Sequence, residues 1–213
     1  MEFSWGAAHD FSNLLQVIMG FAEFLKSQHK DNPDVMDCVN EILTASQRAK
    51  AMVADLIVVG RRNPPATQPV DVAPILRHAV DAITPKLVEG VTLELAVDSA
   101  AQSAILDPSS LERIVALLCA FAAAGMPEGG VITVRAARDG AQLRVSVHQA
   151  GDGLDAATVQ RMCEPFYMKK HHHRGTGLEL AVVAGLMDLQ RGTMTVETAP
   201  GQGLTVHLSF PTG

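Results

Sequence analysis

The sequence has few cysteines and no excess of positive charge, and both deficits exclude classes of protein. The three cysteines, Cys38, Cys119 and Cys163, lie far apart and form no CxxC pair, which argues against a zinc or redox motif. They are predicted to be buried free thiols in a reducing compartment. The net charge of −6 argues against nucleic acid as a partner.

The sequence also lacks the segments that insert into or cross a membrane. No apolar stretch reaches the roughly 18 residues that a membrane span needs. The N-terminus carries Glu2 and lacks the basic start and apolar core of a signal peptide. We therefore expect a cytoplasmic protein, or the cytoplasmic piece of a longer one, with no direct membrane insertion.

Two N-terminal segments show apolar residues at helical spacing. The first predicts a helix over residues 3–28 with a single apolar stripe, formed by Phe11, Leu14, Leu15, Ile18, Ala22 and Leu25. A turn at 31–33 precedes a second amphipathic helix that ends near Val59. Such a helical hairpin has too little core to stand alone, whereas two hairpins bury their stripes in a four-helix bundle. We expect a homodimer.

The pattern changes beyond Pro69 to interleaved helices and strands. Alternating segments predict strands at 91–97, 104–106, 131–135, 143–147, 193–198 and 204–210. Helical spacing predicts helices at 73–87, 107–124, 155–162 and 178–190. Asp139-Gly140 is a strong hairpin signal. The fold class is therefore α+β in two domains: a hairpin at 1–62, a linker at 63–69, and a sandwich at 70–213 with helices on one face of a mixed sheet.

His9 carries the most specific chemical signal. At 100° per residue, it lies on the side of its helix opposite Leu14 and Ile18 and shares a solvent-facing strip with Asn13. The neighbouring Asp10 can orient the imidazole and favour the tautomer with a free lone pair. An exposed imidazole in this setting can act as a nucleophile, although most surface histidines on helices are inert.

The segment from His9 to Leu15, His-Asp-Phe-Ser-Asn-Leu-Leu, resembles the H-box of bacterial sensor histidine kinases, with Ser12 in place of an asparagine. The resemblance implies that His9 accepts phosphate and that Asp10 assists proton transfer. It also implies that Asn13 orients water when a partner is dephosphorylated.

The second domain resembles the catalytic domain of the same family, of the histidine-kinase/GHKL ATPase type. The motifs that carry this resemblance are the N-box at 111–130, the first glycine box at 149–154, the F-box at 164–167, the second glycine box at 175–181 and the last hairpin at 200–204. The resemblance implies a nucleotide pocket, here a vestigial one, formed by Gln149, Gly151, Gly153, Gly175, Thr176 and Gly177.

Several side chains depart from the family pattern. Leu117 and Phe121 replace the two N-box asparagines, and neither offers the oxygen ligand that magnesium requires. Gln149 replaces the aspartate that binds the adenine amino group. Glu179 replaces a glycine of the second glycine box and brings a negative charge near any phosphate. We therefore expect weak or absent ATP binding and no tightly bound cofactor.

The basic run at 169–174 falls where the family places its mobile ATP lid. One interpretation is a cationic loop that contacts phosphate or a partner. The interpretation favoured here is a solvated loop, because consecutive loop histidines rarely converge on one metal ion.

The resulting hypothesis is a dimeric histidine phosphotransferase or pseudo-histidine kinase. It would exchange phosphate between His9 and aspartates of response-regulator receiver domains, with magnesium supplied by the receiver. One alternative is an active sensor kinase that phosphorylates itself from ATP at a nonstandard site. Another is a non-catalytic dimeric binding or sensing module that partners a true kinase.

Overall fold

The computed structural model describes residues 5–59, 65–101, 103–172, 175–199 and 201–211. Contacts between residues divide the chain into two compact units, 1–61 and 62–213. Within the described ranges, no helix combines the length and the apolar character that crossing a bilayer demands.

The first unit is a helical hairpin of α1 (Trp5–Gln28) and α2 (Pro33–Val59). The side chain of Asn32 accepts a hydrogen bond from the Val35 backbone N–H (3.3 Å) and caps the start of α2. Ala22 of α1 packs with Val39 and Leu43 of α2 in a small buried cluster. The predicted hairpin is confirmed.

The predicted apolar stripe of α1 is only partly buried in the single chain. Ala22 is 2% exposed and packs against α2, and Leu15 is half-buried. Five large apolar residues form an exposed stripe between 41% and 68% accessible, which comprises Phe11, Leu14, Ile18, Phe21 and Leu25. The predicted positions lie within about 100° of each other around the helix, so one edge of the stripe contacts α2 and the other edge is left open.

The second unit contains seven strands and five helices among the residues that the structure describes. Its strands are β1 (Gln68–Asp71), β2 (Val91–Val97), β3 (Ser103–Leu106), β4 (Gly130–Asp139), β5 (Gln142–Gln149), β6 (Thr193–Ala199) and β7 (Gly203–Pro211). Its helices are α3 (Val72–Ile83), α4 (Pro108–Ala124), α5 (Ala156–Arg161), α6 (Tyr167–His172) and α7 (Glu179–Leu189).

The main sheet has the strand order β2-β4-β5-β7-β6. Strands β2 and β4 are parallel, and the remaining pairs are antiparallel. Alternate residues of β5 are buried, and α3, α4 and α7 pack together over the sheet. The predicted α+β sandwich with a mixed sheet is confirmed.

Three local features differ from the sequence predictions. Gln68 and Pro69, assigned to the linker, belong to β1, which pairs with β3 in a separate two-stranded sheet. Proline is tolerated there because an edge strand leaves some N–H groups without a strand partner. Helix α6 was not predicted. Cys38 is exposed rather than buried, whereas Cys119 is buried as expected.

Candidate functional site

His9 lies in the second turn of α1 with its side chain 63% exposed, beside Asp10, whose side chain is 80% exposed. The His9 Nδ1 atom is 3.2 Å from Asn13 Nδ2, one helical turn further on. Asp10 Oδ1 is 3.5 Å from the same nitrogen. The three side chains singled out in the sequence therefore meet around one ring nitrogen.

The helix fixes which way this group faces. At about 100° per residue, His9 projects roughly 100° away from the seam that contacts α2 and roughly 160° away from the exposed apolar stripe. Helix α2 can cover the seam, and a further helix can cover the stripe, while the imidazole stays open to solvent. Ser12 does not join the group, because its hydroxyl donates to the Ala8 carbonyl oxygen (3.0 Å).

Two tautomers of the His9 ring fit these neighbours. With the proton on Nε2, Nδ1 accepts a hydrogen bond from the Asn13 amide. With the proton on Nδ1, that proton faces the Asp10 carboxylate and Nε2 carries the free lone pair; the Asn13 amide then turns its oxygen toward the ring, because its N–H groups would oppose another donor. The second tautomer is nucleophilic at Nε2, and the negative charge of Asp10 favours it.

The first glycine box follows β5. Gln149 ends that strand 3% exposed, and its Oε1 atom is buried with no hydrogen-bond partner among the described residues. Gly151 has open space around it, whereas Gly153 packs against the last hairpin: an added Cβ would lie 2.5 Å from Thr198 Oγ1. The unpartnered oxygen of Gln149 can accept a hydrogen bond from a ligand amino group, but as a neutral amide.

The N-box positions lie on α4. Phe121 is 1% exposed and belongs to the hydrophobic core, while Leu117 is half-buried. Apolar side chains supply no oxygen to a hard cation such as magnesium. In the part of the chain that the structure describes, no group of three histidine, cysteine or acidic residues could hold a metal ion. The residues at these two positions do not fit the magnesium that the family resemblance implies.

The second glycine box lies immediately before α7. Its Thr176 and Gly177 backbone N–H groups donate to Glu179 Oε1 (2.6 Å) and Oε2 (2.9 Å). The Glu179 side chain belongs to a residue only 5% exposed. The backbone donors of this box are therefore engaged by a carboxylate of the same chain.

The lid segment begins within helix α6 rather than in a loop, with Lys169, Lys170 and His171 exposed and His172 half-buried. His172 Nε2 is 3.1 Å from Thr158 Oγ1 on α5, and the His171 ring lies 4.5 Å from the Tyr167 ring between centroids. Arg161 makes two hydrogen bonds with Glu164 (2.9 and 2.8 Å), which lower the pKa of that carboxyl. The last two residues of the basic run, His173 and Arg174, lie outside the described residues.

The structure places the predicted nucleotide-pocket residues in two groups. Gln149 and Gly153 lie against the last hairpin, since an added Cβ on Gly203 would overlap the Gln149 carbonyl oxygen. Gly175, Thr176 and Gly177 lie against the start of α6 and α7. Sequence reasoning identified these positions and the charge of Glu179. It missed the hydrogen bonds that this carboxylate accepts, the place of Phe21 in the apolar stripe of α1, and which edge of that stripe contacts α2.

Comparison with family models gives two matches that together cover most of the chain. Residues 106–213 match the model described as histidine kinase-, DNA gyrase B- and HSP90-like ATPase. Residues 2–65 match the His Kinase A (phospho-acceptor) domain. The second match covers nearly all of the first unit and the first few residues of the second, and the first match lies within the second unit.

Individual proteins give the same pattern of similarity. Sensor kinase CckA of Brucella abortus (strain 2308) is 28% identical, over 99% of this chain and 24% of its own length. Sensor histidine kinase ZraS of Escherichia coli (strain K12) is 25% identical, over 97% of this chain and 44% of its own length. The crystal structure of full-length ShkA in complex with AMPPNP superposes with a TM-score of 0.84 at 25% identity, covering 98% of this chain and 45% of that one. The chain thus spans less than half the length of these relatives.

Proposed function

Because this chain belongs to the histidine kinase-, DNA gyrase B- and HSP90-like ATPase family and forms a bacterial histidine kinase core, we propose that it is a histidine phosphotransferase of a two-component phosphorelay. The family prediction made from the H-box and the glycine boxes is confirmed. The protein is a histidine-kinase-type component of two-component signalling. The reaction proposed here is phosphoryl transfer between His9 and receiver-domain aspartates, without use of ATP.

The observation that carries this proposal is the exposed His9 ring with Asp10 and Asn13 at its Nδ1 atom. Because Nδ1 faces these two side chains, Nε2 is the nitrogen available for attack. Its lone pair forms a bond to the phosphorus of a receiver aspartyl phosphate while the phosphorus–oxygen bond to the aspartate breaks. The Nδ1 proton then leaves through Asp10, which yields a phosphohistidine with an uncharged imidazole ring and a free receiver carboxylate.

The sandwich supports transfer that does not depend on ATP. Leu117 and Phe121 offer no ligand to magnesium, and Gln149 offers the adenine amino group a neutral acceptor. Replacing a charge-assisted hydrogen bond by a neutral one forfeits about 1.5 kcal/mol, or roughly tenfold in affinity. Magnesium for the transfer is assigned to the receiver domain, which is the partner of this proposal.

The exposed stripe of α1 supports a homodimer. Five large apolar side chains at heptad-like spacing are left open in a single chain, and such a seam fits a second hairpin of the same kind. His9 would remain accessible in that bundle, because it projects away from the stripe. A receiver could then reach the imidazole from outside the bundle.

The test uses a receiver domain carrying labelled phosphate, mixed with the protein in the absence of ATP. We expect label to move to His9 in the unaltered protein and not in H9A. We expect D10N to slow the transfer about a hundredfold, as for loss of a general base, since it removes the charge that favours the nucleophilic tautomer. Q16A is the matched control, because Gln16 is exposed on the same helical face two turns beyond His9, and it should retain transfer. Label that moves equally well to H9A would refute the proposal.

An active kinase is the second candidate, favoured by the similarity to ShkA, whose crystal structure contains AMPPNP. Incubation with labelled ATP separates the two: labelling of His9 would establish the kinase and refute ATP independence. Millimolar Mg-ATP should leave the melting temperature of the phosphotransferase nearly unchanged. A kinase in the presence of Mg-ATP at a hundred times its Kd would gain about 2.7 kcal/mol of folding stability and would melt at a higher temperature.

A non-catalytic module is the third candidate and makes a different prediction in the cell. A pure scaffold keeps its biological effect when His9 is replaced by alanine. The phosphotransferase loses it. Complementation of a deletion strain with H9A therefore distinguishes them.

A further inference from the structure

The second glycine box encloses an anion that belongs to the chain itself. Each oxygen of the Glu179 carboxylate accepts one backbone hydrogen bond, from Thr176 N and Gly177 N respectively. Glu179 is also the first residue of α7, where the helix dipole favours negative charge. The same features, free N–H groups and a helix N-terminus, are what bind phosphate in other proteins.

The loop fits closely around this carboxylate. Gly175 (φ +56°) approaches so near that an added Cβ would lie 2.8 Å from Glu179 Cδ, and Gly177 has φ +81°. The carboxylate is buried rather than displayed to solvent. The space next to these amides is thus filled by a negatively charged group, and a phosphate would have to displace it against charge repulsion.

The carboxylate also connects to the lid segment. The Gly177 carbonyl oxygen accepts a hydrogen bond from Phe166 N (2.7 Å), and the Phe166 carbonyl oxygen accepts one from Lys170 N in α6 (3.0 Å). An added Cβ on Gly177 would lie 2.8 Å from Lys169 Cβ. Fixing the amides of the box therefore also fixes the backbone on which α6 begins.

We propose that Glu179 is a built-in substitute for phosphate, which closes the anion site of the second glycine box and holds the start of the lid in place without nucleotide. The carboxylate excludes phosphate and polyphosphate from the second glycine box. An intramolecular ligand acts at an effective concentration in the millimolar range or above, so free anions at lower concentration cannot compete. Removing the carboxylate opens a latent site for inorganic pyrophosphate that requires no metal ion.

The experiment measures pyrophosphate binding to the full chain by calorimetry in the presence of EDTA. We expect E179G to bind at least tenfold more tightly than the unaltered protein, with amide shifts at Thr176 and Gly177. E128G is the matched control: it makes the same substitution, with the same change of charge, at an exposed turn residue, and it should bind like the unaltered protein. Equal binding by E179G and the unaltered protein would overturn the proposal.

A second measurement applies even if E179G folds poorly. Hydrogen exchange of the Thr176 and Gly177 amides should be slow in the unaltered protein and at least tenfold faster in E179Q, which keeps the size of the side chain but not its charge. The proposal would be overturned if, in the unaltered protein, both amides exchange as fast as the Ala141 amide in the β4–β5 turn. Neither readout involves His9, so the outcome is independent of whether His9 accepts phosphate.

Discussion

The exposed stripe on α1 predicts that the protein dimerises and that Phe21 is central to the contact. Phe21 is 68% exposed in the single chain, more than the other members of the stripe. We expect F21A to weaken the dimer strongly while leaving the hairpin folded, because Phe21 does not belong to the buried cluster around Ala22.

The magnitude follows from the area left open. A phenylalanine side chain buries about 150–250 Å² in a core or interface, so the exposed 68% corresponds to about 100–170 Å². At ~25 cal/mol per Å², covering it contributes about 2.5–4 kcal/mol per protomer. Alanine retains part of that contact, and a dimer contains two copies. A net loss of about 3 kcal/mol per dimer is therefore a conservative figure, which is more than a hundredfold in Kd.

Sedimentation equilibrium over a wide concentration range measures this Kd. The matched control is V88A, which shortens an apolar side chain that is 52% exposed in the second unit and should leave the Kd unchanged. Far-UV circular dichroism verifies that α1 and α2 persist in F21A. A Kd for F21A within threefold of the original value, or a protein that is monomeric at all concentrations, would refute the reasoning.

Three further predictions concern a helix cap, the cysteines and the last hairpin. Burial alone would raise the pKa of Asp107, the N-cap of α4, but hydrogen bonds from Ser110 and Ser109 outweigh it and lower that pKa. D107A should cost about 1 kcal/mol in urea unfolding at pH 7. The difference should shrink as the pH falls from about 4 through the lowered pKa of Asp107, because protonation removes the stabilisation. Burial raises the pKa of the Cys119 thiol to about 12. Ellman's reagent at pH 8 should therefore label the exposed Cys38 in the folded protein, but Cys119 only after unfolding. Rapid labelling of both thiols in the folded protein would contradict this expectation. G201A should cost about 1–2 kcal/mol of folding stability because Gly201 has a positive φ. G203A should cost more, because only at Gly203 does an added Cβ overlap the Gln149 carbonyl oxygen. Equal midpoints of the two variants in thermal melts would contradict that account.

The regular parts of the fold were predictable because each carries its own pattern. Strand β5 buries every second residue along most of its length, and its turn contains the expected glycine: Gly140 has φ +58° in the two-residue loop between Asp139 and Gln142. Local alternation and turn chemistry suffice for such elements.

The parts that were missed depend on contacts distant in sequence. Helix α6 has six residues, of which only Met168 is buried, too short for a helical period to be recognised. Its position depends on Thr158 and Gly177. Likewise, the sequence identified an acidic residue in the second glycine box but not where its carboxylate points, since that depends on backbone conformation at Gly175 and Gly177.

On the hairpin, the sequence predicted the exposed face of His9 correctly because a helical wheel fixes angles between side chains. It did not predict which apolar seam meets α2. That choice depends on how two helices pack, and the small side chain of Ala22 allows a closer approach than Phe21 would.

The parallel pairing of β2 with β4 has a consequence for shortened forms of the protein. Strand β2 precedes α4 in the chain yet closes the edge of the main sheet next to β4. A truncated version starting at α4 would keep four strands but leave one edge of β4 without a partner strand along seven residues, from Gly130 to Ala136. Such a bare edge invites pairing between molecules and precipitation, so a soluble isolated sandwich has to begin before β2.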